Sequence, residues 1–226
     1  DDLIARKADF AAAPEALREI HRKLPPPFEP LIYDRDAYHV YCLTKLLAER
    51  FVLDQGHPVL RLSNVYGRGD ESTQAVGEAC QRVLAAKPEE ELKINQPFKK
   101  LVPAYLGDII KTLIRAGSLE LPAGVSPVFT MASQEHYLRE DALLRAAADA
   151  LNEIRGEEVS YRIEPLPPES EKAFTYDLSK MRKYLLYGEE LTDFEHGVRA
   201  QLEWLLDRAA GKPPAKADTV VRFAKD

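Results

Sequence analysis

Tyr41-Cys42-Leu43-Thr44-Lys45-Leu46-Leu47-Ala48-Glu49 is followed, past Gly56, by Leu60-Arg61-Leu62-Ser63-Asn64-Val65-Tyr66-Gly67. The first stretch reads as a helix. Asp34 or Asp36 can cap its start and Gly56 can end it. Its apolar positions are dense enough for a helix packed on more than one side. The second stretch, taken from His57 to Gly67, reads as a buried strand of five to six residues running into a glycine loop. Tyr41 and Lys45 stand four residues apart, which stacks both side chains on one helix face, about a turn apart. An ammonium group beside a phenol favours the phenolate, so such a pair can exchange a proton with a substrate hydroxyl or carbonyl near neutral pH. The same lysine can donate to the hydroxyls of a ribose.

Outward from these stretches, helices alternate with strands. Helices are expected over Pro14–Lys23, Ser72–Ala86, Asp108–Ala116, Asp141–Ile154 (ending near Gly156), Asp177–Leu186 and Asp193–Ala209 (with Asp193 as its cap). Strands are expected at Leu92–Ile94, Leu101–Val102, Val128–Met131 and Val159–Ile163. The Pro25-Pro26-Pro27 run interrupts regular structure. This alternation predicts an α/β protein with a parallel sheet.

The 226 residues are 45% hydrophobic and 30% charged, the composition of a soluble globular protein with a core. A net charge of −6 with scattered Lys and Arg argues against a nucleic-acid surface. No apolar run approaches the roughly 18–20 residues of a membrane helix. Cys42 and Cys80 lack metal spacing and read as buried, reduced thiols of a cytoplasmic protein. The histidines show no ligand spacing, so no metal site is expected. Tyr66 and Trp204 are expected in the core.

The order of these segments resembles that of the extended short-chain dehydrogenase/reductase family, the NAD-dependent epimerase/dehydratase group. The likeness rests on the Tyr41-x-x-x-Lys45 helix with Glu49, then Arg61-x-x-Asn64-Val65-Tyr66-Gly67. It continues through Val102-Pro103-Ala104-Tyr105-Leu106-Gly107-Asp108, Val128–Ser133, Tyr176–Lys180, Phe194–Gly197 and Glu203-Trp204, and covers roughly residues 25–208. It implies a Rossmann-like, doubly wound parallel sheet, short of several strands, with a small, mostly helical C-terminal substrate lobe. Residues 1–70 and 101–133 would form the nucleotide-binding part, 71–100 and 134–210 the substrate lobe, and 211–226 a loose tail.

The resemblance implies an NAD- or NADP-dependent epimerase, dehydratase or reductase that acts on a nucleotide-sugar-like substrate by hydride transfer. Tyr41 would be the general acid/base, and Lys45 its partner and a ribose ligand. Asn64 and Lys100 would bind substrate, and Asp9 with Phe10 would lie beside the adenine. A homodimer is the family's common assembly.

The departures bear on this directly. Residues 1–55 contain no glycine, whereas the family's diphosphate turn is glycine-rich. Residues 1–43 contain no Ser or Thr, whereas the family places one ahead of the tyrosine. Leu101 stands where sugar-nucleotide enzymes often carry an arginine; Lys100 beside it lacks the bidentate fork. The alternative reading is a dehydrogenase-derived binding or scaffold subunit without turnover.

Overall fold

The computed structural model describes residues 37–70, 75–97, 99–167 and 175–212. The chain divides into two compact units, Asp1–Gly56 and His57–Asp226. The expected helix at residues 14–23, the sites at Asp9 and Phe10, and the tail beyond residue 212 lie outside the described residues.

In the first unit, α1 spans Ala37–Asp54. Gly56 follows with φ +78°, and its N–H donates to Leu53 O at 2.9 Å, which closes the helix where the sequence marks its end.

In the second unit, the expected strand at 57–67 is two strands, β1 (Val59–Leu62) and β2 (Asn64–Tyr66). They divide at Ser63. β1 pairs in parallel with β4 (Val128–Met131), and β2 pairs in parallel with β3 (Pro103–Tyr105). Ser63 N–H still donates to Met131 O (3.0 Å), but Asn64 N–H donates to Val102 O (3.2 Å), so the chain changes partner within one residue. β1 is not the buried strand expected: Arg61 is exposed and Leu62 is 45% exposed. Among the described residues only β4 pairs with it, whereas a buried parallel strand needs neighbours and covered faces.

Helices make the crossovers that parallel pairing requires. α2 (Ala75–Ala85) joins β2 to β3, and α3 (Leu106–Ala116) joins β3 towards β4. α4 (Glu140–Arg155) ends at Gly156 in the left-handed region, φ +63°. The expected helix over 177–186 is a short α5 (Ser179–Met181) running into a π-helical turn (Arg182–Leu186). Buried Arg115 donates to Leu185 O (3.0 Å) and Leu186 O (3.2 Å), which satisfies carbonyls at the end of that turn. α6 (Phe194–Ala209) starts at Asp193, whose Oδ1 accepts from His196 N–H at 2.6 Å, the cap anticipated from sequence. The expected strands at 92–94 and 159–163 reduce to one bridge between Glu91 and Arg162.

Two apolar clusters hold this unit. One gathers Tyr66 with α2, α4 and α6 through Val83, Leu144, Leu151, Val198 and Leu202. The other gathers Phe129 and Met131 of β4 with Ala104, Ile109, Leu178, Met181 and Leu185. Each fully buried Leu or Val contributes about 1.5–3 kcal/mol over its exposed state. Cys80 is buried as expected, but Cys42 is only half-buried. Trp204 packs half-buried against the first cluster, with the Arg208 guanidinium 5.4 Å from its ring centre.

The protein is thus α/β with parallel strands and a helical layer made by α2, α4 and α6.

Candidate functional site

On α1 the four-residue spacing does what helix geometry requires. Lys45 Nζ stands over the Tyr41 ring, 5.3 Å from its centre. A cation there is attracted by the ring's π face. Tyr41 is 57% exposed, so the pair is open to solvent rather than enclosed.

In the second unit Asn64 opens β2, half-buried, opposite Pro103 in the register. Lys100 Nζ stands 5.0 Å from the centre of the Tyr137 ring. Leu101 beside it is buried and bridges antiparallel to Leu138. Tyr41 and Lys45 are therefore brought together. Lys100 lies two residues ahead of the Val102 carbonyl that holds the Asn64 backbone.

The second unit also contains a cavity of about 350 Å³, walled by Glu91–Ile94 on one side and Glu164–Pro167 on the other. That volume is within the usual range of ligand pockets. The first wall is tied across by Leu92 N–H to Arg162 O (2.9 Å) and Arg162 N–H to Glu90 O (3.0 Å).

Three consecutive residues at the start of α4 hold both walls. Arg139 donates to Pro167 O (2.6 Å) and Leu166 O (3.1 Å), and Asp141 Oδ2 accepts from Leu166 N–H (3.1 Å). Glu140 Oε2 accepts from the N–H groups of Asn95 (2.9 Å) and Gln96 (2.5 Å), just past the other wall. Glu140 Oε1 pairs with Arg82 Nη1 at 2.5 Å, and Arg82 Nη2 donates to Lys93 O. The sequence reading missed this trio. Its one local signal is the pair of acids in the first helical turn, where the dipole favours them; the partners are far away in sequence.

Deeper in the same unit, Asp108 is 2% exposed and its carboxylate accepts three hydrogen bonds. They come from Thr192 N–H (3.0 Å), Thr192 Oγ1 (2.9 Å) and Ser133 Oγ (3.2 Å). Ser133 Oγ in turn accepts from Tyr105 N–H at 2.7 Å. This carboxylate ties the start of α3, the end of β4 and the approach to α6. Burial, and next the Asp108 charge, push the Tyr66 phenol far above its ordinary range. Its Oη has no hydrogen-bond partner, so Tyr66 is a packing residue, as its sequence context suggested.

A dinucleotide's diphosphate calls for bare glycine backbone where the first strand turns into the first helix. The described residues do not supply such a glycine-rich turn. Between β2 and α2 stand two glycines: Gly67 faces Leu106 Cβ at 3.0 Å from where a Cβ would stand, and only Gly69 is open. Gly77 faces the Asp70 carboxylate, Gly107 the Tyr105 ring and Gly197 the Tyr66 hydroxyl, closer still.

No family model matches the chain, and no curated protein matches it in sequence. Solved structures match its fold. An NAD-dependent NDP-hexosamine 5,6-dehydratase, TunA, involved in tunicamycin biosynthesis, is 21% identical with a TM-score of 0.53, over 82% of this chain and 58% of that one. UDP-glucuronic acid 4-epimerase from Bacillus cereus, in complex with UDP-glucuronic acid and NAD, is 18% identical with a TM-score of 0.53, over 82% and 58%. UDP-glucose 4-epimerase from Thermus thermophilus, in complex with NAD, is 15% identical with a TM-score of 0.51, over 81% and 59%. The chain thus spans under three-fifths of the length of these proteins, and it shares their Rossmann-like fold.

Proposed function

We propose that this chain carries the substrate-binding and proton-transfer parts of an epimerase/dehydratase-type enzyme acting on a nucleotide sugar. The observation that carries the reading is the Tyr41–Lys45 pair, with the ammonium 5.3 Å from the ring centre, in a chain whose fold matches such enzymes. The Tyr41 hydroxyl exchanges a proton with the reacting hydroxyl or carbonyl, with the Lys45 ammonium held beside it on the same helix face. In the second unit, the cavity between Glu91–Ile94 and Glu164–Pro167 is a candidate ligand site in its own right. Asn64 and Lys100 are the further substrate contacts we propose.

NAD or NADP supplies the hydride chemistry in enzymes of this kind. Of the residues described, Lys45 alone is suited to it, as a donor to the ribose; the diphosphate requires residues beyond those described. Among the described residues the contribution is therefore substrate binding, proton handling and, through Lys45, a donor to the ribose.

Thermal melts with UDP-glucose, UDP-glucuronic acid and NADH test this. A UDP-sugar at about 100 times its dissociation constant stabilises by about 2.7 kcal/mol, and NADH alone shifts the melt much less. A melt unmoved by any nucleotide sugar rules the proposal out in favour of the scaffold reading. Where turnover is seen with NAD supplied, Tyr41→Phe abolishes it while leaving the UDP-sugar shift in place.

A further inference from the structure

Arg82 on α2 and the backbone N–H groups of Asn95 and Gln96 converge on one point. All three donate, and what they hold is a carboxylate of the chain itself: Glu140 takes Arg82 on Oε1 at 2.5 Å and both amides on Oε2 at 2.9 and 2.5 Å. The Glu140 side chain is 12% exposed and that of Arg82 22%, so the pair is largely withdrawn from water but reachable. Beside it is a gap of about 20 Å³, lined in part by Arg82, Gln96, Lys99, Glu78 and Glu140. That is room for about one water. A guanidinium with two adjacent amides on one oxygen is the donor set that binds oxyanions.

We propose that Arg82, Asn95 N–H and Gln96 N–H form an oxyanion cradle of the phosphate class, kept shut by the Glu140 carboxylate. The cradle is selective by exclusion. An incoming anion has to displace a tethered carboxylate whose local concentration is fixed by α4, so free phosphate does not compete while Glu140 is in place. An anion that does displace it takes over the Asn95 and Gln96 amides and so frees the turn at 95–96 from α4. It thereby loosens the Leu92–Ile94 wall of the larger cavity, the wall Glu140 secures from α4. The inference is independent of what the larger cavity binds.

Chemical rescue decides it. Melts of the full chain are recorded for native, Glu140→Ala, Glu140→Gln and the double variant Arg82→Gln/Glu140→Ala. Each is recorded in inorganic phosphate and in chloride at matched ionic strength. Phosphate is expected to raise the melting temperature of Glu140→Ala by several degrees, with little effect on native or the double variant. Glu140→Gln, which keeps the side-chain volume but loses the charge, should respond in the same direction and more weakly. It carries the test if Glu140→Ala does not fold. Equal phosphate shifts in native and the single variants overturn the proposal. So does a shift in the double variant as large as in Glu140→Ala, because the anion would then not be held by Arg82.

Discussion

α1 and α6 are helices of similar length, 18 and 16 residues, with opposite fates. α6 buries Phe194, Gly197, Val198, Ala200, Gln201, Leu202 and Leu205. α1 buries none of its described side chains from Tyr41 to Asp54, although Leu43, Leu46, Leu47, Phe51, Val52 and Leu53 are apolar. In proteins, helical stability comes mostly from packing an apolar face, and an isolated helix of this length is marginal in water. The pair with chemistry in it, Tyr41 and Lys45, therefore stands on the described helix with the least burial of its own. The helix that carries no candidate chemistry is the one locked in place. Substitutions should therefore cost most on α6 and least on α1.

The largest effect is expected at Gly197. A Cβ there would stand 2.1 Å from Tyr66 Oη, and the Tyr66 ring is fixed between Tyr105 and Phe194, each 5.6 Å away between ring centres. The conflict cannot be relieved by swinging a flexible chain end. Gly197→Ala should cost about 3 kcal/mol in urea unfolding. Tyr66→Phe alone should be nearly neutral, because it deletes a buried hydroxyl that has no partner. The double variant should recover part of the loss, and a recovery of zero would show that α6 shifts as a body instead.

Next is Asp108. Replacing it with Ala strands three donors, two of them on Thr192 at the approach to α6. The expected cost is about 2–3 kcal/mol. Asp108→Asn keeps one acceptor oxygen and should cost roughly half as much. Equal costs for the two would mean that the charge, rather than the hydrogen-bond geometry, ties these elements together.

A pH effect follows from Cys80, on the α2 face packed in the same cluster. Burial, with the Asp70 charge adding to it, raises the thiol from 9.0 to about 12. The unfolded chain loses this proton first. The contribution is complete below about pH 9 and is lost as pH climbs towards 12, at no more than about 1.4 kcal/mol per pH unit. Cys80→Ala should flatten the alkaline decline relative to native. Half-buried Cys42 should react with a thiol reagent in the folded chain, while Cys80 waits for unfolding.

The legible parts of this molecule were those fixed by neighbours in sequence. Asp193 caps α6, Gly56 and Gly156 stop α1 and α4, and Val128–Met131 is a strand as expected. The Tyr41–Lys45 stacking follows from helical pitch alone. What escaped depends on distant partners. Ser63 breaks its strand because β3 and β4 compete for the same stretch of backbone. Leu92–Ile94 looked like a strand from its β-branched and aliphatic residues, yet it finds one bridge and becomes a cavity wall. The strand expected at Leu101–Val102 stands instead at Pro103–Tyr105, where a proline is tolerated as the first residue of a strand. Arg139, Glu140 and Asp141 looked like ordinary charges at a helix start until their partners 25 to 58 residues away were in view.

The smallest effect should come from α1, and it is the sharpest test of the contrast. Phe51 is 68% exposed, so Phe51→Ser removes little buried surface and should move stability by no more than about 0.5 kcal/mol. Tyr41→Phe, which only deletes an exposed hydroxyl, should move it less. Both are read by urea unfolding at two protein concentrations. A cost above about 2 kcal/mol for Phe51→Ser that grows with concentration would mean that a second copy covers this face. Mass action would then make α1 the best-packed helix of an assembly rather than the least-packed helix of a single chain. The same cost without concentration dependence would place the covering surface within the chain itself. A null result leaves Tyr41 and Lys45 on an open helix, the least-buried helix among the described residues.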